Sequence, residues 1–304
     1  MTIAITGGTG FVGQALVETL SRRKVPLRAL ARGTPPSSAP GVEWIRGTLE
    51  DRAALARLVK GAEAVIHVAG LTSAPDPCAF ETANVAGTLA LVEAAKNAGI
   101  PRFVFVSSLA AREPELSAYG ASKAKAERIV AASALDWTIV RPPAVYGPRD
   151  REMLELFKAA RLGVIPMPPP GRASMIHVDD LADLLAALIP GGESVSHRIF
   201  EPDDGHPGGW SHRDMARTIG WAVGRRPWVP HLSPAMLMRL SRLERALRGN
   251  KAKLTPDRVG YMSHPDWVSD RARHVPTELW RPRIATREGL KATARWYREQ
   301  GWMK

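Results

Sequence analysis

For its first 140 residues the sequence alternates two kinds of segment, short apolar runs and longer stretches with apolar residues at helical spacing. TIAIT, PLRALA, VEWIRG, AVIHVAG, RFVFVSS and DWTIVRP read as strands. Between them VGQALVETLSRR, DRAALARLVKG, VAGTLALVEAAKNAG and ASKAKAERIVAASA read as helices. Strands that alternate with helices join through right-handed crossovers and build a doubly wound parallel sheet. AVIHVA and RFVFV are apolar throughout, as strands covered on both faces are. A length of 304 residues suits one large α/β domain, or a nucleotide-binding domain with a smaller companion.

TIAIT runs directly into GGTGFVG and then into a helical pattern. Gly7, Gly10 and Gly13 have the spacing of a dinucleotide loop. The first glycines permit a tight turn and close approach of backbone to a pyrophosphate, and the last lets the helix pack on the sheet. The helix N-terminus then faces the phosphates. The second strand speaks to which dinucleotide. A site for NAD usually ends that strand in a carboxylate that holds the ribose hydroxyls, and here it ends Leu30-Ala31-Arg32. An arginine pairs with a 2′-phosphate that a carboxylate would repel, so NADP(H) is expected over NAD(H).

After residue 150 the rhythm breaks. Residues 151–170 hold a short helix and the run IPMPPPG, SMIHV reads as a further strand, and DDLADLLAALI reads as a helix that Asp179 and Asp180 start and cap. From about 191 the pattern is irregular and rich in Pro, Gly and Trp. The expected division is a dinucleotide-binding domain of residues 1–150 and 172–190, with a smaller mixed substrate domain of 151–171 and 191–304. Helices expected in the latter include PAMLMRLSRLERAL and TREGLKATARWYREQG, the first extending through 253 with Leu237, Leu240, Leu243 and Leu247 as its core stripe. PPSSAP (35–40) and GGES (191–194) read as exposed loops.

Composition removes several classes of function. The one cysteine, Cys78, allows neither an intramolecular disulfide nor a thiolate metal cluster, which fits a reducing, cytoplasmic setting. No His/Asp/Glu group has metal-ligand spacing, so no metal is expected, and His67 and His177 read as satisfied structural histidines. No apolar run approaches the ~18 residues of a membrane span, and MTIAITGG lacks the basic start of a signal peptide. The net charge is +12, and residues 221–304 carry 18 Lys and Arg against 7 Asp and Glu, a net of +11. Such a region attracts an anionic substrate or a membrane surface. No nucleic-acid-binding motif accompanies it, so nucleic acid is not an expected partner. A small-molecule substrate is expected, and peripheral membrane contact and a homodimer are left open.

The stretch SAYGASKAKAE places Tyr119 and Lys123 four residues apart in a helical pattern, hence on one face. With TGGTGFVG, AVIHVAG, FVFVSS, the helix start Asn84-Val85-Ala86-Gly87-Thr88, the run Arg141-Pro142-Pro143-Ala144-Val145-Tyr146-Gly147-Pro148 and SMIHVDDLA, the chain resembles the extended short-chain dehydrogenases/reductases. Within them it is similar to the NAD(P)-dependent epimerase/dehydratase family and its 3β-hydroxysteroid dehydrogenase-like members. The resemblance runs over essentially the whole chain and implies a Rossmann-type fold and a Ser-Tyr-Lys oxidoreductase.

It also implies roles. Tyr119 would be the acid/base group, and the Lys123 cation would stabilise its phenolate and hold the nicotinamide ribose. Ser108 would hydrogen-bond the reacting oxygen, with Ser107 its nearest competitor. Asn84 would support a proton-relay water or cap its helix. Cofactor contacts are implied for Gly7, Thr9, Gly10, Phe11, Val12, Arg32, Thr48, Leu49, Ala69, Gly70, Val106, Tyr119, Lys123, Pro142 and Val145. Thr48 stands where an aspartate is common, Ala144 where sugar-nucleotide members often carry asparagine, and Ala173 where they often carry arginine, with Arg172 one place earlier. The expected function is therefore NADP(H)-dependent interconversion of an alcohol and a ketone or aldehyde. The alternatives are a sugar-nucleotide epimerase or dehydratase with tightly bound NAD, and a non-catalytic dinucleotide-binding protein.

Overall fold

The computed structural model describes residues 2–35, 41–74, 76–249, 252 and 254–303. The chain divides into two compact units. The first comprises Met1–Pro142, Leu181–Glu201 and Val275–Arg281, and the second Pro143–Asp180, Pro202–His274 and Pro282–Lys304.

The first unit is built on the expected alternation. Its strands are β1 (Ile3–Thr6), β2 (Leu27–Ala31), β3 (Val42–Arg46), β4 (Ala64–His67), β5 (Arg102–Val106) and β6 (Asp136–Val140). Helices α1 (Phe11–Arg22), α2 (Arg52–Val59), α3 (Cys78–Phe80), α4 (Gly87–Asn97) and α5 (Ala118–Ala131) lie between them in sequence. All six strands are parallel, in the spatial order β3-β2-β1-β4-β5-β6. β1, β4 and β5 are buried at every residue, their polar members Thr6, His67 and Arg102 included, as strands covered on both faces are. Leu55, Leu58, Val65, Leu91, Phe103 and Ile139 are among the core residues that pack sheet against helices.

A seventh strand, absent from the sequence expectation, completes this sheet. Residues Arg198–Phe200 pair parallel with β6, Ile199 against Ile139, and the Arg141 amide donates to the Phe200 carbonyl at 2.7 Å. Residues 191–201 therefore belong to the first unit rather than to the second. SMIHV is a strand, but it does not join the large sheet. Met175–His177 pairs with Ala144–Tyr146 in a separate two-stranded ladder, so 143–150 and 172–180 sit in the second unit. Both differences arise because a three-residue apolar run predicts burial but not a pairing partner.

The second unit's strands are β7 (Ala144–Tyr146), β8 (Arg172–Ala173), β9 (Met175–His177), β11 (Trp210–Ser211) and β12 (Asp266–Trp267), β10 being Arg198–Phe200. Its helices are α6 (Met153–Arg161), α8 (His212–Ala222), α9 (Pro234–Arg248), α10 (Pro256–Met262) and α11 (Thr286–Glu299), while α7 (Val178–Ala187) runs across the unit boundary. Phe157, Met215, Ile219, Leu290 and Tyr297 form its core. Asp179 and Asp180 stand in the first turn of α7, as expected, and Asp180 also reaches out of it. Its carboxylate accepts from the amides of Arg283 and Ile284 at 3.1 and 3.0 Å and so pins the segment before α11. Gly191 and Gly192 have positive φ and form the expected turn, and residues 36–40 of PPSSAP lie outside the described residues.

Candidate active site

The glycine loop leaves β1 through Gly7, whose φ of +75° a side chain would resist. The Gly10 amide donates back to the Gly7 carbonyl at 2.9 Å and closes the turn. A Cβ on Gly7 would stand 2.6 Å from the Ala69 nitrogen, and one on Gly13 only 1.9 Å from the Gly7 carbonyl oxygen. Gly10 caps α1 with no side-chain hydrogen bond to the helix. The first amides of α1, those of Phe11 and Val12, therefore open the helix without a side-chain acceptor, the arrangement that favours an anion. Thr9 is exposed and its carbonyl accepts from the Gln14 side-chain Nε2 at 2.7 Å. The Trp44 ring lies 3.3 Å from where a Cβ on Gly8 would sit, and its buried Nε1 has no hydrogen-bond partner. A backbone hollow that any Cβ would fill, facing an uncapped helix start, fits a dinucleotide pyrophosphate.

At the sheet's edge Arg32 is exposed directly after β2. The β2–β3 register sets Ala31 opposite Arg46, which is also exposed, so two arginines finish neighbouring strands. Sequence reading missed Arg46, although VEWIR ends on the same residue type as RALAR. The Thr48 hydroxyl accepts from the Glu50 amide at 3.2 Å, and Leu49 packs against the start of α4, where a Cβ on Gly87 would meet its Cδ1 at 2.7 Å.

At the other end, α5 begins one turn earlier than its apolar pattern suggests, because Ser117 caps it by accepting from the Gly120 amide at 3.0 Å. This puts Tyr119 in the first turn, buried and 5.9 Å ring to ring from Phe80. Lys123 follows one turn later, fully buried. Its Nζ donates to the Val106 carbonyl at 3.0 Å and lies 5.1 Å from the centre of the Phe105 ring. Burial lowers its pKa to about 8, against the raising influence of Glu127. A Cβ on Gly70 would stand 3.0 Å from this Nζ and 3.1 Å from Asn84 Oδ1, so the lysine and the asparagine amide converge at the end of β4.

Asn84 does not cap a helix. It lies in a π-helical turn, Glu81–Ala86, which runs straight from α3 into α4. Its Oδ1 accepts from the Leu71 amide at 2.7 Å, and its Nδ2 donates to the Leu71 carbonyl at 3.0 Å and to Ser122 Oγ at 2.9 Å. Ser122 in turn donates to the Tyr119 carbonyl at 2.8 Å, which ties the asparagine to the tyrosine's own turn. π turns of this kind recur at functional sites.

The two serines after β5 separate cleanly. Ser107 is buried and its hydroxyl donates to Glu127 Oε1 at 2.5 Å. Ser108 is half-exposed, and its hydroxyl accepts from the Ala110 amide at 3.2 Å, which leaves its own proton available to a ligand. Glu127 also binds Arg141 in bidentate fashion, at 2.8 and 2.6 Å, and Arg141 reaches Glu201 at 3.3 Å, as does Arg112. Sequence reading missed Glu127, although it repeats the four-residue step from Tyr119 through Lys123. His67 is structural: it is buried between the hydroxyls of Thr6 at 2.6 Å and Thr88 at 2.9 Å. Burial, helped by the Lys123 charge, lowers its pKa to about 3, so it stays neutral. His177 lies edge-on to Tyr146 in the second unit and accepts from the Asp179 amide at 3.2 Å. Pro142 is buried, its carbonyl accepting from Leu109, and Val145 is half-buried on β7 opposite Ile176.

The model of the NAD dependent epimerase/dehydratase family matches residues 3–201. Ceramide reductase of Caulobacter vibrioides (strain NA1000 / CB15N) is 36% identical over 99% of this chain and 96% of its own length. The 4-hydroxy-2-methyl-3-oxo-4-farnesyl-3,4-dihydroquinoline-1-oxide ketoreductase of Stigmatella aurantiaca is 34% identical over 68% of this chain and 69% of its own. Among solved structures, MoeE5 in complex with UDP-glucose and NAD has a TM-score of 0.78 at 23% identity over 99% of both chains, a likeness of fold. With the cradle, the Tyr119–Lys123 face and these matches together, the chain belongs to the NAD dependent epimerase/dehydratase family and is an NAD(P)-dependent oxidoreductase of the short-chain dehydrogenase/reductase type.

Proposed function

We propose that the protein is an NADPH-dependent reductase of a ketone attached to a long apolar chain. The observation that carries the chemistry is the convergence of Lys123 Nζ and Asn84 Oδ1 on Gly70, with Tyr119 one turn before the lysine. The bound dinucleotide supplies the hydride, and the chain's own groups position the substrate and move the proton. Ser108 donates a hydrogen bond to the carbonyl oxygen. Tyr119 gives that oxygen its proton. A free phenol, with a pKa near 10, gives up a proton reluctantly at neutral pH, and the Lys123 cation stabilises the phenolate left behind. With a pKa of about 8, Lys123 is still roughly 90% charged at pH 7. Asn84, fixed by Leu71 and Ser122, orders the route by which a proton returns to the tyrosine.

NADPH is favoured over NADH because Arg32 and Arg46 stand at adjacent strand ends with no carboxylate at the end of β2. The long apolar chain is favoured because the two relatives act, by name, on ceramide and on a farnesylated ring. A sugar nucleotide is not favoured. The Arg172 guanidinium is taken up by the carbonyls of Gly208 and Gly209, and Ala144 offers a diphosphate no side-chain donor. A binder without chemistry has no use for a buried lysine cation beside a tyrosine.

The test follows NADPH absorbance with ketones of increasing chain length. Net consumption should appear, with kcat/KM rising with chain length and lower values with NADH. Conversion of UDP-glucose without net redox change, and no ketone turnover, would overturn the reading.

A further inference from the structure

Helix α9 was expected to bury its leucines, and it buries only one of them. Leu237 and Ser241 face inward, while Met236, Leu240, Leu243 and Leu247 are exposed at 48%, 43%, 55% and 77%. Their spacing of four, three and four residues puts them in one line along the helix, on a face the rest of the unit leaves open. At ~1.5 Å per residue the fifteen residues of α9 make a rod about 22 Å long. Single exposed leucines are ordinary, but a continuous outward stripe on a capped helix is not. The cap is firm, with Ser233 accepting from the Met236 amide and Pro234 opening the first turn.

A second apolar patch lies in the same unit. Leu162 and Trp228 are exposed at 86% and 69%, and the bridge between Val164 and Trp228 sets the two segments side by side. The chain then passes through a second bridge, Met167 with His231, and enters α9 three residues later. Of nine exposed large hydrophobic residues among the described residues, eight fall between 162 and 247. Arginines accompany them: Arg161 beside Leu162, Arg225 and Arg226 before Trp228, and Arg239, Arg242, Arg245 and Arg248 on α9, the last four exposed.

We propose that the second unit docks through the stripe of α9 on the surface of a bilayer containing anionic phospholipid. An interfacial helix needs an apolar stripe to enter the acyl boundary and long cations that reach back to the headgroups. α9 has both, and an exposed tryptophan is the side chain best suited to that boundary. The charge decides between occupants. A second copy paired symmetrically would bring the same patch, with its arginines, against itself. An anionic surface complements it, each arginine near that surface contributing attraction that falls off within a Debye length. No described helix is long and apolar enough to cross a membrane, so the contact is peripheral. The proposal fits a long-chain substrate but does not rest on one.

Co-sedimentation of the full chain with vesicles tests it, without substrate or cofactor, so the outcome is independent of the catalytic reading. Vesicles of phosphatidylcholine mixed with phosphatidylglycerol should carry the protein down at low salt, with binding weakening as salt rises. Phosphatidylcholine alone should bind at least about tenfold less. The double variant Leu243→Glu, Leu247→Glu changes only exposed positions, so its circular dichroism and Tm should match the parent. Its partition to mixed vesicles should fall by at least about tenfold. The variant Arg239→Ala, Arg242→Ala should lose part of the binding and part of its salt dependence. The proposal is overturned if the parent stays in the supernatant, or if the leucine variant binds as the parent does. It is equally overturned if light scattering shows a parent dimer that the leucine variant dissolves, which would make a second copy the occupant.

Discussion

Replacing Glu127 with glutamine probes stability and chemistry through one atom pair. The carboxylate is buried, receives the Ser107 hydroxyl and both edges of Arg141, and lies one turn beyond Lys123 on α5. Breaking a buried ion pair costs roughly 3–5 kcal/mol. Glutamine keeps an acceptor, and Arg141 keeps Glu201, so a loss of about 2–3 kcal/mol is expected. For a chain of this size that is a fall in Tm of about 4–9 °C. The electrostatic effect is separate. Charges one turn apart (~6 Å) at an effective dielectric of ~40 interact by about 1.4 kcal/mol, or about one pH unit. Glu127 favours the charged lysine, so its loss should move the Lys123 titration downward from about 8. The newly underbalanced Arg141 pushes the same way. The assay is the pH profile of kcat/KM beside a thermal melt. In the parent the alkaline limb should fall near pH 8, and in Glu127→Gln it should fall up to about one pH unit lower. A melting loss with an unmoved limb would refute the electrostatic role, and an unmoved melt would refute the buried network.

Tyr119→Phe should abolish ketone reduction while dinucleotide affinity by calorimetry stays near the parent's, whereas Lys123→Ala should weaken both; parent-like turnover in Tyr119→Phe would remove the tyrosine from the mechanism. Arg32→Asp should narrow or reverse the NADPH preference, and Arg46→Asp should do so more weakly, read as the ratio of Kd values for the two dinucleotides; equal affinities in the parent would end the argument. Burial raises the Asp150 pKa to about 7 from an ordinary 3.8. Its proton is therefore held more tightly when folded, and the stability it gives below pH 4 should be lost as pH rises toward 7. Asp150→Asn should flatten that slope in urea melts between pH 4 and 7, and an unchanged slope would count against it.

Six of the seven sheet strands were legible because each is a run of four or five residues with its own apolar signature. The seventh, Arg198–Phe200, was not, because three residues after a His197 with φ +56° carry no period, and only pairing with β6 makes them a strand. The same limit misplaced Met175–His177. α9 shows a related one: its periodicity gave a helix with apolar rows, but not which row faces the core. In the candidate site, the Tyr119–Lys123 face follows from helical geometry alone. Arg46 follows only from strand register, and the partners of Glu127, Ser107 and Arg141, are 20 and 14 residues away along the chain.

The buried charges of the first unit indicate why one of them matters most. Arg102 is buried, but it binds Asp136, the Leu188 carbonyl and Thr138, and ties β5 to β6 and to the end of α7. Arg141 is matched by two carboxylates. Each of these arginines is compensated within the protein, as structural charges must be. Lys123 is not. Its Nζ donates to one neutral carbonyl, that of Val106, and makes no ion pair among the described residues. Its depressed pKa records the resulting cost: between pH 8 and the ordinary lysine value of 10.5 the folded chain sheds a proton that the unfolded chain keeps, so stability should rise with pH there. Lys123→Met should remove that rise and melt higher than the parent at pH 7, while losing turnover. A lower melt at pH 7 would mean that Lys123 stabilises the fold, and the case that its charge is held for a phenolate and a ribose would fail.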